Sequence, residues 1–178
     1  MSKYDIETAE LNYFLDLFVH LNNGSFVMFE KARIRSGDSI DFIIVAMDEA
    51  LKNLKIDAEE GNLTPKQLVD LAELQRIYRE ICIVSEKNPE YGKIKLQTHS
   101  FDGKTLKPDG TPFSSDWVQA AVFTDSDNNV YFAARGTGIG RWVDNAVMMY
   151  EPESPMQRET REYFDLELFI EKLTKKVV

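Results

Sequence analysis

Residues 131–145 read YFAARGTGIGRWVDN, an apolar run that ends in Arg135-Gly136-Thr137-Gly138 and continues into Trp142 and Asp144. Glycines let a chain turn sharply at a strand end and leave backbone N–H groups uncovered. Such N–H groups can bind an oxyanion, and the Thr137 hydroxyl adds one more donor. Asp144 is the natural partner for the Arg135 guanidinium, and Trp142 has the size to pack over the bend. Three readings stay open on these residues alone: a phosphate cradle, an anion hole for acyl chemistry, and a turn with no chemistry. A phosphate loop wants G-x-x-x-x-G-K-[ST], or G-x-G-x-x-G opening a helix, and GTGIGRW has neither spacing. A plain turn is the bland account of any glycine cluster.

The bend has to be held by what precedes it. WVQAAVF (117–123) and VYFAA (130–134) are strand-like, and TDSDNN between them is turn material, so a β-hairpin is predicted. Its nearly continuous apolar content predicts a sheet covered on both faces. Asp125-Ser126-Asp127-Asn128-Asn129 has the oxygen spacing that opens a calcium loop, but the later loop positions hold Val130 and Gly136 where glycine and glutamate are needed. A hairpin turn is the better account, and no metal or other cofactor is expected.

Upstream, residues 6–21 predict a largely buried helix, stopped by Asn22-Asn23-Gly24-Ser25. Ile40, Ile43, Ile44, Met47, Leu51 and Leu54 make one stripe on a second helix over 38–54, broken by DAEEGN. Thr64-Pro65-Lys66-Gln67 is a capping box with proline in the first turn, and it starts a third helix carrying Leu68, Leu71, Leu74, Tyr78 and Ile81. Residues 85–116 are polar and rich in Pro and Gly, with only KIKLQ alternating like a strand. A second capping box, Ser154-Pro155-Met156-Gln157, opens a last helix. The expected organisation is a helical region (1–84), a connector (85–116) and a strand–helix region (117–178), an α/β chain.

Bulk properties narrow the partners. The net charge of −9, without a Lys/Arg cluster, argues against nucleic acid and against anionic membrane surfaces. No apolar run is long enough for a membrane span. Cys82 is the one cysteine among 178 residues, so no internal disulfide is possible and a reducing cytoplasm fits. Cys82 reads as a small buried hydrophobe, and the acid pairs Glu59-Glu60 and Glu151/Glu153 as solvated charge.

The stretch AAVFTDSDNNVYFAARGTGIGRWVDNAVM resembles the N-terminal part of a lipase-like α/β-hydrolase, in which a hairpin strand ends in Arg-Gly-Ser/Thr and a segment with Trp and Asp follows. The SPMQRETREYFD segment is similar to a bacterial group of lipase-like proteins. The resemblance covers residues 118–176, about a third of the chain, and implies a partial α/β-hydrolase sheet formed by the hairpin and the helix after it. It implies that Thr137 lies in the oxyanion hole, that Gly136 permits close approach, and that Arg135, Trp142 and Asp144 support the loop. The implied activity is serine-dependent hydrolysis of a carboxylic ester with an apolar acyl group. That fold carries its serine on G-x-S-x-G, with an acid and then a histidine later in the chain. No G-x-S-x-G occurs here, and the two histidines, His20 and His99, both precede the hairpin. The expectation is a fragment or truncated relative, inactive alone. The alternative is a non-catalytic interaction module, suggested by the apolar excess of LNYFLDLFV (11–19). A half-sheet with an open edge also predicts a homodimer.

Overall fold

The computed structural model describes residues 3–22, 25–101 and 120–134, together with Arg158, Arg161 and Asp165, which are helical. Four helices precede a small sheet: α1 (Lys3–His20), α2 (Met28–Lys31), α3 (Ile40–Glu59), α4 (Pro65–Lys87), a 3-10 turn (Pro89–Lys93), then β1 (Lys95–His99), β2 (Ala120–Thr124) and β3 (Val130–Ala134). Helix and sheet are therefore mixed, and the three strands form an antiparallel sheet in the order β1-β2-β3.

From Tyr13 onward α1 is apolar apart from Asp16 and His20, and so apolar a stretch is stable only inside a core. Phe14, Leu15, Leu17, Phe18 and Val19 are all buried. The apolar excess at 11–19 is thus taken up by packing within this chain; only Tyr13 on that stretch is an exposed large hydrophobe, and its hydroxyl donates to Glu80 on α4. Asn22 follows the helix and is itself buried. Its Nδ2 donates to the Phe18 carbonyl (3.0 Å) and its Oδ1 accepts from the Phe29 amide (2.8 Å), so one side chain closes α1 and anchors α2.

Helix α3 starts at Ser39, whose hydroxyl accepts from the Phe42 amide, and it buries Ile40, Ile43, Met47, Ala50, Leu51 and Leu54. It runs five residues past Leu54, because Asp57, Ala58 and Glu59 tolerate helix, and the break falls at Gly61 with φ +76°. The Thr64 capping box of α4 is present in both directions, with Pro65 in the first turn. The buried seam of α4 is Leu71, Leu74, Ile77, Ile81 and Val84, while Leu68 at the helix start is exposed.

In the sheet, β2 and β3 pair in strict register from Ala120↔Ala134 to Thr124↔Val130, and β1 joins the far side of β2 through an irregularity between Leu96 and Thr98. The outer edge of β1 is met by the segment that leads into α3. Gly37 N donates to Leu96 O, Leu96 N to Asp38 O, and Ile40 N to Ile94 O, at 2.7–2.9 Å. All of β2 except Thr124 is buried. Ala121 and Phe123 enter the main core, which runs continuously from Phe14 to Ala133 and includes the Phe18–Phe123 ring contact. Ala120 and Val122 form a second cluster with Val130, Phe132 and Ala134. Both faces of β2 are therefore buried, whereas β3, expected from its equally apolar run to be covered on both faces, is only partly buried except at Ala133. Residues 117–119 of the expected strand lie outside the described residues.

Candidate functional site

The five residues singled out by the sequence, Arg135, Gly136, Thr137, Trp142 and Asp144, lie outside the described residues, as does Glu151/Glu153. The structure does describe the platform from which they leave. β3 ends at Ala134, directly before Arg135, and Ala134 pairs with Ala120. Ala120 is held from its other side by Ser100: Ala120 N donates to Ser100 Oγ and Ser100 N donates to Ala120 O, both at 3.0 Å. Ser100 is 1% exposed, so these bonds are shielded from water. Because β1 and β3 are both antiparallel to β2, they run parallel to each other, and His99 and Ser100 close the sheet at the end where β3 stops.

His99 at that end is half-buried against two core aromatics. Its ring stacks on Phe101 (5.5 Å between centroids, 18° between planes) and meets the edge of Phe29 (5.2 Å, 90°). Its Nδ1 accepts from the Phe101 amide at 3.2 Å. His20 sits on α1 with Nε2 3.1 Å from Asp16.

The hairpin loop uses its own acid. Asp125 Oδ1 accepts from the Asp127 and Asn129 amides, and Oδ2 accepts from Asn129 Nδ2 and the Tyr131 hydroxyl, at 2.8–2.9 Å. Burial pushes this carboxyl up, but the combined hydrogen bonds outweigh it and hold it below its ordinary value. Asn128 adopts φ 60°, a left-handed conformation that asparagine tolerates in turns. The carboxylate is committed to closing the turn, and among the described residues no cluster of His, Cys, Asp or Glu has the arrangement to hold a metal ion.

Cys82 is half-buried on α4. Burial pushes its thiol up from the ordinary value, which keeps it protonated and weakens it as a nucleophile. Its neighbour Tyr78 is also pushed up, by burial first, and the Tyr78 hydroxyl donates to the Ile44 carbonyl across the helix pair at 3.1 Å. Beside them lies a feature that the sequence reading missed: an open groove of about 290 Å³ between α3 and α4, lined by Asp48, Leu51, Lys52, Lys55, Gln75, Tyr78, Arg79 and Cys82. Its residues are dispersed over two helices, and their convergence depends on how those helices pack.

No protein-family model, curated protein or solved structure matches this chain. No described helix is long and apolar enough to cross a membrane.

Proposed function

We propose that the bend after β3 is the oxyanion-binding turn of a lipase-like α/β-hydrolase acting on carboxylic esters with an apolar acyl group. In this reading the Thr137 amide and hydroxyl donate to the carbonyl oxygen as negative charge builds on it. Gly136 leaves room for the substrate to approach. Arg135 pairs with Asp144 to hold the loop, and Trp142 packs beside it. The partial hydrolase sheet of this reading is the β2–β3 hairpin with the helical segment around Arg158, Arg161 and Asp165. The observation that supports it is positional: Arg-Gly-Thr follows immediately on a hairpin strand whose last residue is anchored through Ala120 to the buried Ser100. In this reading the bend starts from a fixed strand end, and electrostatic stabilisation of an oxyanion requires donors that are held in place.

Such a donor contributes roughly 3–4 kcal/mol to the attack step when a nucleophile is present. Residues 1–178 hold no G-x-S-x-G and no histidine after the hairpin, so the serine and its base come from outside this stretch. The 178-residue chain is expected to leave p-nitrophenyl butyrate at the buffer rate. It is expected to bind butylphosphonate, a tetrahedral oxyanion on a short tail, with the largest amide shift in an NMR titration at Thr137. Thr137→Ala then weakens binding, since it removes one hydrogen bond to a charged oxygen. An unmoved Thr137 amide overturns the oxyanion reading. Ester turnover by the pure chain that Thr137→Ala abolishes overturns the statement that the attacking group lies elsewhere.

A further inference from the structure

We propose that the groove between α3 and α4 is a binding site for a small organic carboxylate with a short apolar tail. The helices form a hairpin, joined by residues 60–64, and their apolar seams face the common core. Beside that seam the facing positions are long polar side chains, so the surfaces do not close and the groove remains. Its volume of about 290 Å³ is near the lower end of ligand sites, so it suits a small molecule.

The charge of the groove runs against that of the chain. The whole chain carries −9, yet the lining itself holds three cations, Lys52, Lys55 and Arg79, against one carboxylate, Asp48, while Glu49, Glu59 and Glu86 stand at its margin near Lys52, Lys55 and Cys82. Asp48 is already engaged by Lys52 at 2.5 Å, and Lys55 is 3.9 Å from Glu59, the limit of an ion pair. Arg79 has no hydrogen bond or ion pair among the described residues, although nearby Arg76 is bound by both Glu73 and Glu80. A guanidinium without a partner beside an apolar surface favours a planar bidentate anion, and a carboxylate has that geometry. Leu51, Tyr78 and Cys82 supply the apolar wall, where the tail buries its methylenes. Burial holds the Tyr78 hydroxyl and the Cys82 thiol protonated, so neither adds a charge of its own to those of Asp48 and Glu86.

Cys82 also makes the site directly testable, because it lines the groove and is the only cysteine. The rate of Cys82 alkylation by iodoacetamide is followed in the full chain with sodium octanoate, kept below its micellar range, or with 1-octanol. Octanoate is expected to slow alkylation in a saturable way, and octanol at equal concentration is not. Arg79→Gln is expected to weaken protection by about tenfold, the loss of a charge-assisted hydrogen bond. Lys55→Gln weakens it less, and Arg76→Gln, outside the groove, leaves it unchanged; circular dichroism checks that each variant is folded. Absence of protection, equal protection by octanol, or full protection in both Arg79→Gln and Lys55→Gln overturns the proposal. The inference is independent of the oxyanion reading: one is read at Cys82 and the other at the Thr137 amide, so either can fail alone.

Discussion

The α3–α4 hairpin and the β2–β3 hairpin use burial in opposite ways. Each helix buries one seam and leaves a second, polar flank, and between those flanks a groove stays open. β2 is covered on both faces and has no flank to spare. An element buried on one side can serve a ligand with its other side. An element buried on both sides can only position what it pairs with, and β2 pairs with β3, which ends directly before Arg135.

The sharpest test of this contrast removes Phe123, which is fully buried against Phe18. Phe123→Ala is expected to cost about 3–5 kcal/mol in urea unfolding, as for large aromatic truncations in cores. Val122→Ala, on the opposite face of β2, is expected to cost about 1.5 kcal/mol, the value of two buried methyl groups. If Val122→Ala proves neutral, the second face of β2 contributes nothing and the contrast with the helices falls. Thr64→Ala comes next, at about 1 kcal/mol, because it removes the Oγ1 that accepts from the Gln67 amide and donates to Gln67 Oε1. Ser39→Ala should cost less, since the Ser39 hydroxyl makes a single bond of 3.3 Å; equal losses would mean that the bond from Thr64 Oγ1 to Gln67 Oε1 adds nothing.

The smallest expected effect is a pH dependence in the β2–β3 turn. The Asp125 carboxyl lies below its ordinary value in the folded chain. A depressed value means stability that is present above the unfolded pKa of about 3.9 and lost as pH falls through the folded one. Urea midpoints measured from about pH 5 downward should therefore converge for the wild type and Asp125→Asn at the acid end. A gap that stays constant would show that charge on Asp125 is irrelevant to the turn.

Much of the scaffold was legible from local patterns. Thr64-Pro65-Lys66-Gln67 announces α4 because a capping box is complete within four residues. The Ile40–Leu54 stripe gives α3, and alternation in KIKLQ gives the start of β1. The four-residue α2 went unseen because so short a helix shows no period, and its Phe29 amide is held by Asn22 from outside the element. The pairing of β1 with β2 joins residues about two dozen positions apart, a choice made by the core and not by either strand's own pattern. The glycine-rich bend was legible as a motif, and Thr137 stands as a proposal. The groove was not legible: Lys52 and Arg79 mean nothing together until two seams have chosen their angle.

One consequence follows from the short backbone splice between residues 37–40 and the outer edge of β1. The same few residues supply the N-cap of α3, so fraying of that strand margin and uncapping of the helix are one event. Amide exchange at Leu96 and at Phe42 should share a single opening free energy, and a denaturant series would show their protection collapsing together.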